Sequence, residues 1–254
     1  PLDMEPLTGG CHFNFNCVSH LNLCNKCQID NYKNKYSFYN SAKVKFIASN
    51  KGVYSLMQSI NSINNNQLYL SYLITKISRY QYIDQKTARK FFNLPDNKYI
   101  ILNLSINSSD IRKNNSLFFQ LVEHFKDNTN FYFLYISNNC PIKHKSDNFR
   151  FIKSNFNDYY MNYIYRSCNL LLDLSLSDNG PIVCQEAFLN DMNIITNSNS
   201  LISCSFKEYE GVYLSDNTKD DVINNILLSY EDNFLYKDTY KKKRDMYFLK
   251  PKTI

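Results

Sequence analysis

The stretch Ser175-Leu-Ser-Asp-Asn-Gly-Pro-Ile-Val-Cys-Gln-Glu-Ala187 follows directly on the apolar run Asn169-Leu-Leu-Leu-Asp-Leu174. The apolar run predicts a buried strand, and Pro181 suits the first turn of a following helix. A polar turn between a strand and a helix start directs backbone N–H groups toward an anion. A ligand with both a phosphate and sugar hydroxyls, such as a nucleotide-sugar, fits this arrangement.

Two carboxylates flank the predicted helix start, Asp178 in the turn and Glu186 eight positions later. By helix rise, Glu186 lies roughly 8 Å beyond the start of the helix. An acidic residue at a helix N-terminus is often only a cap, and one further along is often only solvated. Placed together after a buried strand, the pair is a candidate for contacts with ligand hydroxyls.

Strands and helices alternate along most of the chain. The predicted strands are 43–48, a segment from 68, 99–104, 131–136, 149–153, 169–174, 193–196 and 211–214. The predicted helices are 52–63, 84–92, 116–125, 158–167, 181–189 and 220–228, and residues 1–30 read as loop. This alternation predicts an α/β fold with a parallel, Rossmann-like sheet and right-handed crossovers. The loops 105–115 and 175–181 both follow strands, so both are expected at the carboxyl edge, where ligands bind.

The loop after the strand 99–104 carries two adjacent cations, Arg112 and Lys113. Arginine binds a diphosphate bidentately and lysine acts as a point charge, so the pair suits a diphosphate at this edge. Two cations on a surface loop can equally be solvated, and this alternative stays open.

Four cysteines cluster near the N-terminus, Cys11, Cys17, Cys24 and Cys27. The spacing C-x2-C of the last two is typical of zinc sites, whereas the spacing of the first two is loose. Three interpretations of this cluster stay open: structural zinc, disulfides and unlinked thiols. A catalytic cysteine is not expected, because no single thiol is set apart with a base.

Charge is concentrated at the C-terminus. The net charge is +6, and seven basic residues stand against two Asp from Lys237 onward. This tail is either a solvated helix face or a contact for anionic lipid head groups. No nucleic-acid-binding motif accompanies it, and the sequence contains neither a spanning apolar run nor a signal peptide.

Four segments, in order, resemble one family, the retaining glycosyltransferases of family 4 with the GT-B fold of two facing Rossmann-like domains. Asp3–His12 resembles the D-M-x-P-x-T-G-G-C-H motif of a subgroup that builds bacterial exopolysaccharides, and the four cysteines follow that subgroup's spacing. Asp84–Pro95 resembles its D-x-x-x-A-R-x-x-x-x-L-P linker, and Asp110–Lys113 its D-x-R-K-G phosphate loop. Ser175–Ala187 resembles its form of the E-x7-E motif.

The resemblance implies roles for individual residues. Asp178 takes the place of the acid that contacts the donor sugar, and Glu186 that of the acid that binds the nucleotide ribose. Lys113, with Arg112, would hold the diphosphate and stabilise the departing nucleoside diphosphate without a catalytic metal. Further donor or cleft contacts fall to Ser175, Asn179, Gly9 and Gly10.

The chain departs from the family pattern at several positions. Asn114 stands where the phosphate loop has Gly, residues 190–193 replace C-G-x-P, and Leu174 replaces a Pro. The interdomain P-N-x-I-D signature is not recognisable in 73–80. About the first third of a family member has no counterpart ahead of Pro1, so we expect an N-terminally truncated chain.

These observations predict three segments. Residues 1–78 form the remnant of an acceptor domain, 79–235 a nucleotide-sugar-binding domain, and 236–254 a basic tail. By resemblance, the chain moves a sugar with retention from a nucleoside diphosphate to a growing, lipid-linked saccharide in bacterial surface polysaccharide synthesis. We expect a cytoplasmic location, peripheral on the inner membrane face. The alternatives are a degenerate member that binds a nucleotide-sugar or a partner without turnover, and a small zinc-stabilised interaction module.

Overall fold

A computed structural model describes most of the chain in two compact units. The described residues are 4–8, 10–13, 15, 17–22, 24, 32–41, 44–60, 63–71, 83–140, 146–154, 157–201, 203 and 209–235. The first unit comprises 1–74 with the segments 176–181 and 199–206, and the second unit comprises 75–175, 182–198 and 207–254.

The described residues of the first unit include a short parallel sheet and two α-helices. Its elements are α1 (Tyr32–Ser41), β1 (Phe46–Ala48), α2 (Lys51–Gln58) and β2 (Leu68–Leu70), with β1 parallel to β2. Asn50 caps α2, because its side chain accepts a hydrogen bond from Val53 N at 2.9 Å. The core residues are Met4, Leu7, Phe46, Ala48, Val53, Met57, Ile60, Ile63 and Leu68.

Several elements of this unit differ from the sequence prediction, among them the strand predicted for 43–48, which begins at Phe46. The helix predicted for 52–63 ends at Gln58, and α1 was not predicted at all. The α1 sequence, YKNKYSFYNS, is polar apart from its aromatic residues, and Phe38 is exposed. No regular apolar stripe therefore marks it as a helix.

Gly52 lies in the first turn of α2 against the backbone of Leu201. A Cβ atom added at Gly52 would stand 2.0 Å from Leu201 O and 2.7 Å from Leu201 C. Because these are backbone atoms, no side-chain rotation can relieve the overlap. The helix packs this closely only because position 52 has no side chain.

The second unit is built on six parallel strands. They are β3 (Tyr99–Leu104), β4 (Phe131–Ser137), β5 (Phe149–Lys153), β6 (Leu170–Asp173), β7 (Asn193–Asn197) and β8 (Val212–Ser215). The helices are α3 (Gln85–Phe91), α4 (Asn115–His124), α5 (Asp158–Ser167), α6 (Ile182–Leu189) and α7 (Lys219–Leu235). The strand order is β5-β4-β3-β6-β7-β8, and every neighbouring pair is parallel. The predicted α/β fold with a Rossmann-like parallel sheet is confirmed.

Apolar side chains on one face of the strands form much of the core of this unit. Tyr99 and Ile101 of β3 point to the same face as Phe131, Phe133 and Tyr135 of β4, as the two-residue repeat requires. Residues of α4 and α7 cover this face; they are Leu117, Phe118, Leu121, Val122, Val222 and Ile226. Burial of these large apolar side chains is the main stabilising contribution to the sheet.

Arg89 joins α3 to the end of α5 and the residue before β6. It is 4% exposed and donates to Ser167 O at 3.0 Å, to Asp96 O at 2.5 Å and to Asn169 Oδ1 at 2.7 Å. Burial lowers the pKa of the Arg89 guanidinium from its ordinary value. The three hydrogen bonds offset the cost of placing this cation inside the protein.

Candidate functional site

The neighbouring strands β3 and β6 mark the point where the strand order of the sheet reverses. From β3 the sheet continues to β4 and β5 on one side, and from β6 to β7 and β8 on the other. In doubly wound sheets, ligands bind beyond the carboxyl ends of the strands at this point. The segments that follow β3 and β6 therefore define the candidate site.

The loop after β3 is held in shape by its own side chains. Ser105 Oγ donates to Asn107 O at 2.9 Å. Asp110 then caps a turn of 3-10 helix, Ile111–Lys113, by accepting a hydrogen bond from Arg112 N at 3.0 Å. This short turn presents two consecutive cations at the end of β3.

Asn114 ends this turn in the left-handed region, with φ 50° and ψ 41°. Among residues with a side chain, Asn and Asp adopt this region most readily. Asp191, in the turn after α6, has φ 63°. Both positions are ones where the resemblance leads one to expect Gly, and both have a backbone conformation that Gly adopts readily.

Lys113 connects the loop after β3 to the segment after β6. Its Nζ donates a hydrogen bond to Ser175 Oγ at 3.2 Å. Lys113 is half-buried, and Ser175 is 1% exposed. Two residues that the sequence assigned separately to a nucleotide site therefore meet at the switch point of the sheet.

Arg112 makes a bidentate pair with the carboxylate of its own loop. Arg112 Nε lies 3.1 Å from Asp110 Oδ1, and Nη2 lies 2.6 Å from Asp110 Oδ2. Both side chains are partly exposed. Asp110 partly offsets the charge of the guanidinium, so Lys113 and Arg112 occupy different electrostatic surroundings although they are adjacent in sequence.

A buried carboxylate lies beneath Ser175. Asp173 is 5% exposed; its Oδ1 accepts a hydrogen bond from Ser175 Oγ at 2.7 Å, and its Oδ2 accepts one from Thr196 Oγ1 at 2.9 Å. Cys184 Sγ lies 3.5 Å from the same Oδ2, and Asn197 Nδ2 donates to Ser175 O at 3.0 Å. Ser175 is thus fixed through both its side chain and its backbone.

Glu186, on α6, is oriented by an aromatic hydroxyl from α5. Tyr165 Oη donates to Glu186 Oε2 at 2.6 Å. The Tyr165 side chain is fully buried, whereas Glu186 is half-buried. This contact fixes one oxygen of the carboxylate, which suits a group that recognises ligand hydroxyls in a set direction.

Asp173 and Tyr165 were not singled out by the sequence analysis. Asp173 sits within the apolar run 169–174, which was read as a strand, and Tyr165 looks like one more aromatic residue of a helix. An acid at the carboxyl end of a buried strand was a usable signal for Asp173, because a buried carboxylate needs compensating hydrogen bonds. Nothing local marks Tyr165, whose partner lies 21 positions away.

Asp178 and Asn179 lie in the segment 176–181, which belongs to the first unit. Asp178 Oδ1 accepts a hydrogen bond from Gly180 N at 3.1 Å, which makes a local turn of the Asx type. Asn179 O accepts from Asn50 Nδ2, the cap of α2, at 2.6 Å. The roles predicted for Asp178 and Asn179 stay predictions.

Gly10 lies in a tight turn near the N-terminus, with φ 150°. Gly10 N donates to Thr8 Oγ1 at 3.2 Å, and that hydroxyl donates to Cys11 O at 2.8 Å. Gly9 lies outside the described residues. The cleft contacts predicted for both glycines stay predictions.

Three of the four clustered cysteines are described. Cys11 is half-buried, Cys17 exposed and Cys24 buried, all as thiols rather than disulfides, and Cys27 lies outside the described residues. Hydrogen bonds from Ser19 lower the pKa of the Cys17 thiol, which favours the thiolate form that binds metals. Within the described part of the chain, no three His, Cys, Asp or Glu side chains form a metal-binding group. Structural zinc stays a prediction that needs Cys27.

No helix among the described residues is long and apolar enough to cross a membrane. The basic tail, 236–254, lies outside the described residues, so the lipid contact predicted for it stays a prediction.

No known family model matches the sequence, and no curated protein matches it. Solved structures do match. Sucrose-phosphate synthase from Thermosynechococcus elongatus matches with a TM-score of 0.67 at 15% identity, over 87% of this chain and 58% of that chain. A glycosyltransferase from Rickettsia africae matches with a TM-score of 0.64 at 13% identity, over 83% of this chain and 60% of that chain. HepE from Anabaena, in complex with UDP and glucose, matches with a TM-score of 0.66 at 11% identity, over 84% of this chain and 61% of that chain.

At these identities the likeness establishes the fold. This chain has a Rossmann-like α/β fold similar to that of these structures, and it spans about three fifths of their length. The C-terminal domain of a group 1 glycosyl transferase, LpcC from Francisella tularensis, also matches, with a TM-score of 0.57 at 12% identity. That domain is covered completely, by 71% of this chain.

Proposed function

We propose that this chain is part of a glycosyltransferase that uses a nucleoside diphosphate sugar as its donor. The observation that carries the proposal is the Lys113–Ser175 contact, which places an ammonium group at the switch point of a doubly wound sheet. Structures with the same fold are described with UDP and with UDP-glucose, which supports a nucleotide-sugar as the ligand class.

In this proposal the site residues act on two parts of the donor, the diphosphate and the ribose. Lys113 binds the diphosphate and stabilises the negative charge that grows on the leaving nucleoside diphosphate. Arg112 adds positive charge while Asp110 holds the loop in shape. Glu186, oriented by Tyr165, accepts hydrogen bonds from the ribose hydroxyls.

The finer features of the reaction come from the family resemblance. Asp178 contacts the donor sugar, transfer proceeds with retention, and the acceptor is a growing, lipid-linked saccharide of a bacterial surface polysaccharide. The enzyme works at the cytoplasmic face of the membrane, where the basic tail contacts anionic lipid. The cationic side chains take the role of a metal in stabilising the leaving group.

The test is calorimetric titration of the 254-residue chain with UDP and GDP. We expect Lys113→Met and Glu186→Gln each to weaken binding of the preferred nucleotide about tenfold, the size of one hydrogen bond to a charged group. Lys126→Met is the matched control, since Lys126 is an exposed lysine of the same unit that pairs with Glu123. Equal affinity of the Lys113 and Lys126 variants would remove Lys113 from the site.

The role of metal is tested by transfer assays in excess EDTA. We expect any transfer activity to persist, because Lys113 and Arg112 supply the positive charge. Loss of activity that only Mn²⁺ or Mg²⁺ restores would contradict this part of the proposal.

A chain that binds a nucleotide-sugar without turnover is the alternative. The departures at Asn114 and at residues 190–193 favour this alternative, whereas the intact Asp178 and Glu186 argue against it. Asn114 and Asp191 both have the positive φ that glycine adopts readily. The test is whether the chain releases sugar from a donor that it binds. Release by the wild-type chain, and none by Asp178→Asn, would show that the chain is an active enzyme.

A further inference from the structure

Asp173, the last residue of β6, has no part in the function proposed above. It follows three leucines, Leu170–Leu172, each at most 1% exposed, and is itself 5% exposed. A carboxylate in such surroundings costs free energy unless its oxygens accept hydrogen bonds. What the residue does must therefore be sought in its contacts.

The hydrogen bonds around Asp173 have a defined direction. Ser175 has one hydroxyl proton, and donating it to Asp173 Oδ1 at 2.7 Å leaves only lone pairs facing outward. Lys113 Nζ, which can only donate, binds one of these lone pairs at 3.2 Å. The carboxylate thus makes Ser175 an acceptor, and Ser175 in turn holds the ammonium.

We propose that Asp173 is a positioning residue for diphosphate binding, which acts through Ser175 to hold the Lys113 ammonium at the switch point. A lysine side chain has four flexible carbons, and fixing it before the ligand arrives lowers the entropy cost of binding. This inference rests on the proposed function, because a nucleoside diphosphate is the ligand that the ammonium serves.

A purely structural role is the competing explanation. Asp173 also accepts a hydrogen bond from Thr196 on β7, so it ties two strands together. A structural role would affect every part of the ligand alike. A positioning role affects the diphosphate and leaves the nucleoside unchanged.

The experiment compares the affinities of the chain for UDP and for uridine, which lacks the phosphates. We expect Asp173→Leu to weaken UDP binding about tenfold, the size of one hydrogen bond to a charged group. Asp173→Asn should lose about threefold, because its amide oxygen still accepts from Ser175. Affinity for uridine should stay the same in both variants.

The contacts from Asp173 through Ser175 to Lys113 are called the relay below. Two controls distinguish loss of this relay from a general loss of structure. Thr196→Val removes a hydrogen bond to the other oxygen of the same carboxylate and should leave UDP affinity within twofold. In a Ser175→Ala background, Asp173→Leu should cause no further loss, because the relay is already cut. An additive second loss, or equal losses for UDP and uridine, would overturn the proposal.

Failure of this inference and failure of the proposed function give different results. If the wild-type chain binds neither UDP nor GDP, the proposed function fails. The relay is then judged by a crystal structure of Asp173→Leu, in which Lys113 Nζ should withdraw from Ser175 Oγ. A retained hydrogen bond between those two atoms would refute the relay. If the Leu variant does not fold, the UDP and uridine affinities of Asp173→Asn decide.

Discussion

Replacing Gly52 by alanine is expected to destabilise the first unit, although alanine is the better helix former. In α2 the new Cβ would lie 2.0 Å from Leu201 O, 2.7 Å from Leu201 C and 2.9 Å from Leu201 Cα, whereas ordinary contacts begin near 3.4 Å. The backbone of one of the two segments must therefore move by well over an ångström.

The size of the effect follows from two opposing contributions. Alanine in place of glycine gains at most about 1 kcal/mol of helix propensity, and less in the first turn. Forcing an extra carbon into a packed interior typically costs about 1–3 kcal/mol, and here the obstacle is backbone. We expect a net loss of about 1–3 kcal/mol in the stability of the unit.

Amide hydrogen exchange of the α2 segment measures this directly. Ser55→Ala, at an exposed position of the same helix, is the matched control and should raise protection slightly. Gly52→Ala should lower it, so the same substituent has opposite effects at two positions of one helix. Protection in Gly52→Ala that equals or exceeds Ser55→Ala would refute the close approach of Leu201.

Three further predictions concern single residues. Arg89→Met removes three hydrogen bonds of a buried cation, to Ser167 O, Asp96 O and Asn169 Oδ1, and should cost about 3 kcal/mol in urea unfolding, with Arg89→Lys recovering only part; a loss below about 1 kcal/mol would contradict this network. Asn114→Ala should cost about 1 kcal/mol, because Ala tolerates positive φ poorly, while Asn114→Gly should be nearly neutral; equal stabilities of the two variants would be inconsistent with the left-handed turn. Burial lowers the pKa of His20, so the unfolded chain binds its proton more readily and stability should fall as pH drops below the ordinary value of 6.5. A His20 ring-proton titration at or above that value would contradict this.

The strands of the second unit were the most predictable part of the fold. The predicted bounds 99–104 and 149–153 match the structure. Short alternating or continuous apolar runs between polar loops indicate strands more often than any other element. Helix α7 extends to Leu235, beyond the predicted end at 228, since the residues after Leu228 are mostly polar and weaken the apolar stripe. Helix α1, with no such stripe, was missed.

The candidate site was predictable as a location and only partly as a set of contacts. Lys113 and Ser175 could be assigned to one edge of the sheet because parallel strands bring their carboxyl ends together. Their direct contact, and the pairing of Arg112 with Asp110, depend on side-chain geometry that no spacing encodes. The hydrogen bond between Tyr165 and Glu186 joins two helices and could not be found from either segment alone.

The left-handed turns of this chain have a consequence at the level of its gene. Among the described residues other than glycine, positive φ occurs at Phe15, Cys24, Asn93, Asn114, Asp191 and Asn217, while the whole sequence contains only five Gly. Every glycine codon begins with two guanines, whereas asparagine codons begin with two adenines. A gene poor in guanine and cytosine can therefore encode the turns at Asn93, Asn114 and Asn217 at a conformational cost on the order of 1 kcal/mol each. Such a gene would meet a restriction on nucleotide composition with small backbone strain, spread over turns that the fold already requires.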